Sequence, residues 1–203
     1  MNLLDLLQGQ LSGGMVDQLS QQLGGADRQQ TAVAANGIVA TLVNALAKNA
    51  STPEGADALN NALARDHDGS IVDNLLGMFT GGIQPQNERA MNGSGILNHI
   101  LGDRQGGAAN MISQMSGLDS GKTMQLMGML APVVMGMLGK VRNQNGLDVG
   151  GITSLLNGTV SNPQHQSNPA MGLITQFLDS DHDGSAMDDI ANIGMKFLGG
   201  LFK

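Results

Sequence analysis

Carboxylates at alternate positions are the residues whose type and spacing point most directly to chemistry. Asp179, Asp181 and Asp183 alternate through Asp179-Ser180-Asp181-His182-Asp183-Gly184-Ser185, and Asp188 and Asp189 follow. A loop that winds around a cation turns every second side chain inward, and a glycine after the third acid allows the sharp turn that closes it. Carboxylates of Asp179, Asp181 and Asp183, with the backbone carbonyl of Ser185, would supply oxygens to a calcium ion. Asp188 or Asp189 would close the shell, and His182 would point outward. Without a cation, acids this close together repel one another and destabilise the loop. Calcium, Ca2+, is the expected cofactor, favoured over magnesium because a flexible ring of oxygens suits an irregular shell better than a tight octahedron.

The same pattern occurs 115 residues earlier as Arg65-Asp66-His67-Asp68-Gly69-Ser70, with Asp73 beyond it. Ala64 stands where the later copy has Asp179, so Asp66, Asp68, Ser70 and Asp73 form a weaker second site. Gly-Ser-x-x-Asp is also a capping box, in which the serine caps a helix and the acid three residues on reaches back to its amide. Capping accounts for Ser70, Asp73, Ser185 and Asp188, but not for the alternating acids before them. The later loop resembles EF-hand and dockerin-type calcium loops through its sixth position. At the twelfth, where such loops carry a bidentate acid, stands Ile190, leaving Asp188 and Asp189 as substitutes.

Other chemistry finds no carrier. With no Cys there is no thiolate, disulfide or cysteine metal site. His67, His99, His165 and His182 are scattered, without the i, i+4 pair that sets two imidazoles on one helical face, and surface positions are expected for them. Ser116-Gly117-Leu118-Asp119-Ser120-Gly121-Lys122-Thr123 ends like a phosphate-binding loop, but Ser116 replaces its first glycine and a helix precedes it where a strand is required. A helix start explains it better. No Gly-x-Ser-x-Gly elbow occurs, so a non-enzymatic protein is expected. A net charge of −7 and the absence of Tyr and Trp disfavour nucleic acid, which needs cations for phosphate and rings for bases.

These loops must be held by helices. Leu and Met recur at spacings of three and four and β-branched alternation is nearly absent, so the fold is predicted as all-α. Sliding the chain by 92 residues aligns Gln22–Asp27 with Gln114–Asp119 and Leu46-Ala47-Lys48 with Leu138-Gly139-Lys140. Each copy reads as a short helix (Met15–Leu23; Ala108–Met115), a turn, a long apolar helix (Gln29–Lys48; Lys122–Val141) and a further short helix. The expected architecture is an internally duplicated antiparallel helical bundle with a C-terminal helix-loop-helix calcium hairpin. Its parts are repeat one with the degenerate loop at 1–82, a linker and short helix at 83–104, repeat two at 105–156, a flexible linker at 157–170 and the hairpin at 171–203. Gly128, Pro132 and Gly136 form a low-relief strip on the second long helix, suited to close approach of a neighbouring backbone.

The most apolar run, 124–139, falls short of the roughly 20 residues of a membrane span, so no span is expected. The N-terminus lacks a basic start and a long apolar run, which points to a cytoplasmic protein, or one exported without a cleavable N-terminal signal. The hairpin at 171–203 carries more apolar side chains than its length can enclose, so it should dock on its own body or on a neighbour, giving a homo-oligomer or filament. The leading expectation is a calcium-binding structural or self-assembling protein. The alternative is a cytoplasmic calcium-responsive adaptor that docks a partner helix on a Met-rich surface formed by Met111, Met115, Met124, Met127, Met129, Met135 and Met137.

Gly93-Ser94-Gly95-Ile96-Leu97-Asn98-His99-Ile100-Leu101-Gly102, Met111–Asp119 and Leu130-Ala131-Pro132-Val133-Val134-Met135-Gly136-Met137-Leu138-Gly139 resemble the YidB-like bacterial proteins, a domain of unknown function. The similarity covers most of residues 1–160. It implies a helical bacterial protein and no established activity.

Overall fold

The computed structural model describes residues 3–11, 13–73, 89–162 and 174, without the side chains of Ile71 and Asp73. All regular structure among them is helical: α1 (Leu3–Gln10), α2 (Gly13–Gln22), α3 (Arg28–Asn49), α4 (Pro53–Arg65), α5 (Ser70–Asp73), α6 (Gly93–Leu101), α7 (Gln105–Ser116), α8 (Ser120–Asn145) and α9 (Val149–Val160), with single 3-10 turns at Arg89–Met91 and Gly102–Arg104.

α3 and α8 are apolar on all sides through their middles, and a helix of that kind needs neighbours all round. They pack on each other; α1, α2, α6, α7 and α9 surround α3, while α4, α5, α6 and α7 cover α8. Leu126, Leu130 and Leu138 of α8 and Ile38 and Leu42 of α3 are essentially inaccessible, each contributing about 1.5–3 kcal/mol by leaving water. Both helices are longer than expected, and each is long and apolar enough to cross a membrane by length and composition. Of those apolar windows, 78% in α3 and 72% in α8 is buried, as it would be in the central helices of any bundle.

Helix starts follow the sequence closely. Asp27 caps α3 by accepting the Gln30 amide at 2.8 Å, and Asp119 caps α8 by accepting those of Gly121 and Lys122 at 2.9 and 3.1 Å. Thr31 and Thr123, both fully buried, donate back to the Asp27 and Asp119 carbonyls at 2.8 and 2.9 Å. Thr52 and Asp148 cap α4 and α9 in turn. Asp119 thus occupies the helix terminus where a phosphate would sit in a nucleotide loop, and the helix-start reading of Ser116–Thr123 holds.

Two boundaries differ from expectation. Asn157–Val160 continue α9 rather than opening a linker, because Thr159 is buried and its hydroxyl bonds the Leu155 carbonyl at 2.7 Å. α1 was not anticipated; Leu3, Leu4 and Leu7 bury one face of it against α3, α8 and α9. The linker stretch 83–88 lies outside the described residues.

Candidate functional site

The first copy of the acidic loop joins α4 to α5. α4 ends where the Asp66 amide bonds the Ala62 carbonyl at 3.0 Å. Gly69 then takes φ +98°, a conformation that a side chain would strain. The Asp68 carboxylate accepts the Ser70 amide at 2.9 Å and so starts α5. The helix-start role expected of Ser70 thus falls to Asp68, two residues before it. That amide and then the Ser70 hydroxyl hold the Asp68 carboxyl below its ordinary value.

The loop lies on α8 with no side chain between the two backbones. A β-carbon on Gly139 would overlap the His67 carbonyl, and one on Gly69 would lie 2.7 Å from the Lys140 α-carbon. From the end of α8, Asn143 donates to the Asp68 carbonyl at 2.8 Å and Arg142 donates to Asn60 of α4 at 3.0 Å. His67, expected at the surface, is only 5% exposed, and its Nδ1 has no hydrogen-bond partner among the described residues. Burial pushes its imidazole below the ordinary histidine value, against the opposing pull of Asp66 and Asp68. The loop turns inward there because Gly139 offers no side chain to hold it off.

His67 also lines a groove of about 1020 Å³ between α4 and α6. Leu46, Leu59, Ile96, Ile100 and Met135 contribute apolar walls, and Lys48, Arg65, Arg89, His99 and Asp66 contribute charged or titratable groups. Several other polar lining groups serve the fold: Asn49 donates to the Ile100 carbonyl at 3.0 Å, Thr52 accepts the Gly55 amide at 3.2 Å, and Asn92 accepts the Gly95 amide at 2.9 Å.

Residues 5–141 match the model of a family described as bacterial proteins of unknown function, DUF937. The chain belongs to this family. Neither the curated proteins nor the solved structures yield a match. The DUF937 portion contains every residue named in the groove and the whole Asp66–Ser70 loop, whereas Asp179–Asp189 lie beyond it.

The expected site residues are therefore distributed unevenly. Asp66 is half-buried beside the groove, Asp68 and Ser70 are exposed, and Asp73 is helical with its side chain outside the described set. Asp179, Asp181, Asp183, Ser185, Asp188 and Asp189 all lie outside the described residues. Among the described residues no group of three His, Cys, Asp or Glu side chains is placed to hold a metal. The groove went unnoticed in the sequence because its cations come from three separate segments. The only local signal for His67 was its place opposite a glycine of α8, which requires knowing that the two meet.

Proposed function

We propose that the chain is a calcium-binding, non-enzymatic structural protein built from two copies of one helical unit, with its ion held by Asp179, Asp181, Asp183 and the Ser185 carbonyl and closed by Asp188 or Asp189. The observation that supports this most is how the shared Asp-Gly-Ser segment folds at 68–70. The glycine takes a positive φ, a carboxylate is drawn onto the next serine amide, and a helix begins. A loop with that turn and two further alternating acids would direct oxygens toward one centre. The duplication draws support from the order α2, α3, α4 against α7, α8, α9 and from caps at matching positions Asp27 and Asp119, Thr31 and Thr123.

We extend the proposal to calcium-dependent self-association through residues 171–203. Ile174 is 1% exposed and belongs to the chain's own core, so the surface offered to a neighbour would lie beyond it. The adaptor reading has less to stand on. Met127, Met135 and Met137 are buried in the core and the half-buried Met111, Met124 and Met129 pack against it, so these six do not form an open surface; Met115 is half-buried.

Calorimetry of the full chain with calcium tests the assignment, with light scattering on the same samples. Asp181→Ala should abolish the stronger binding event and any calcium-dependent growth of the particle, while Asp68→Ala should leave both. An unchanged isotherm in Asp181→Ala would sink the site.

A further inference from the structure

We propose that the groove between α4 and α6 is an internal docking seat, occupied by the chain's own residues 75–79 carried on a continuation of α5. This goes beyond the calcium reading and does not depend on it.

Geometry sets where that stretch of chain must travel. The loop before α5 sits on Gly139 and Lys140 of α8, and Gly93 at the start of α6 sits on Gly128. Those two glycines of α8 are eleven residues apart, three helical turns, so they share one face of the helix about 16 Å from each other. Met135 lies between them on the same face and lines the groove. Residues 74–88, outside the described residues, connect α5 to the turn at Arg89–Met91. They leave a loop whose Asp66 and His67 line the groove and return at Arg89, which lines it too.

The sequence supplies an occupant with a matching face. Val72, Leu75, Leu76 and Phe79 recur at i, i+3, i+4 and i+7, a single stripe on a helix, with Asn74 and Gly77 on the opposite side. Val72 already belongs to the core and α5 packs on α8, so the stripe begins on the body. Gly81-Gly82 would end such a helix. From Ser70 to Thr80 it would rise about 16 Å, the separation of the two glycines on α8. Leu46, Leu59, Ile96 and Ile100 then offer aliphatic walls to Leu75, Leu76 and Phe79, and the polar groups of the lining face the other side of the segment. A segment held beside the groove at both ends has a high effective concentration there, which a second copy of the chain lacks.

The test exploits the absence of Cys from the chain, which lets single thiols be introduced without competition. In the full-length protein Leu76→Cys should react with a maleimide at least about tenfold more slowly than Ala64→Cys, an exposed position of α4 away from the groove, because a docked side chain reacts only through local opening. Ala58→Trp, at an exposed position that lines the groove, should fill the seat and remove that protection when combined with Leu76→Cys. A short bismaleimide should also join Ala58→Cys to Leu76→Cys within one chain, and this measurement decides if the tryptophan variant fails to fold. Equal reactivity of Leu76→Cys and Ala64→Cys, or protection that survives Ala58→Trp, would overturn the proposal. So would a cross-link that joins two chains, which gives the groove to a second copy, or one from Ala58→Cys to Phe177→Cys in place of Leu76→Cys, which gives it to the later hairpin.

Discussion

α3 and α8 are the two long helices at the centre of the bundle and pack on each other, yet their neighbours approach them in different ways. At Gly37, the glycine inside α3, the neighbour is a side chain: a β-carbon there would meet Ile112 at 3.7 Å, an ordinary van der Waals distance. Asn36 and Asn44 fold their amides back onto the carbonyls of Ala32 and Ala40, both at 2.9 Å. At the matching positions α8 has Gly128 and Gly136, with Pro132 between them. Pro132 has no N–H, so the Gly128 carbonyl lacks its usual donor four residues on. Gly93 of α6 packs directly over that oxygen, where a β-carbon would overlap it. About three turns further along, Gly139 admits the His67–Asp68 backbone. Side chains can shift by tenths of an ångström to accommodate a neighbour, whereas two backbones in contact cannot. α8 should therefore be the helix that fixes the positions of its neighbours.

The largest effect is expected at those backbone contacts. Gly139→Ala should destabilise the protein by about 3 kcal/mol or more, since the added methyl forces the loop off α8, although alanine is the better helix former. Gly93→Ala should cost about 2 kcal/mol or more for the same reason at Gly128. Chemical denaturation followed by circular dichroism measures both. A loss below about 0.5 kcal/mol, the ordinary range for a surface change, would mean that α8 is packed no more rigidly than α3.

Much of this was legible in the sequence, and what was missed follows a physical rule. The helix start in Ser116–Thr123 could be read because capping is decided within one turn of chain, and Asp119 supplies the cap. The Gly128-Pro132-Gly136 strip was expected to admit a neighbouring backbone; Gly93 packs against the Gly128 carbonyl, yet a β-carbon on Gly128 itself would meet nothing within 4 Å. His67 and the groove were missed because their properties arise between segments. Burial of one imidazole depends on a glycine 72 positions away, and the cations of the groove come from α3, α4 and the turn before α6. Local chemistry does not encode such meetings. The later acidic loop is read from sequence alone, since Asp179–Asp189 lie outside the described residues.

A middle-sized effect concerns pH, and it reports whether His67 is held as tightly as Gly139 implies. Burial lowers its folded pKa below the ordinary value of about 6.5. As pH falls through that value the unfolded chain takes up a proton that the folded imidazole refuses, so stability declines until the folded pKa is reached and then levels off. Asp68 acts in a lower window: its carboxyl is also depressed, so its contribution is intact above the ordinary carboxylate pKa and is lost only as pH falls through the folded one. Denaturation midpoints should therefore drop between pH 7 and 5 in the wild type and stay flatter in His67→Gln. An equal drop in both would show that another group carries the dependence.

The smallest effect should have the opposite sign and comes from α3. Gly37 lies inside a long helix, where glycine is about 1 kcal/mol less favourable than alanine because it leaves the unfolded chain more freedom and adds no contact. Its neighbour Ile112 is a flexible side chain at 3.7 Å from the site of the new methyl, close enough to touch and far enough to avoid strain. Gly37→Ala should therefore stabilise the protein by about 0.5–1 kcal/mol. The same substitution at Gly139 in the partner helix should do the reverse, although both glycines are helical and buried. Measured side by side, the pair separates helix propensity from packing, because propensity predicts the same gain at both sites. If Gly37→Ala destabilises as much as Gly139→Ala, α3 is also limited by its neighbours' backbones and the contrast between the two helices fails. If both substitutions stabilise, the close approach of His67 to α8 is not a constraint of the folded state, and the burial of His67 loses its structural cause.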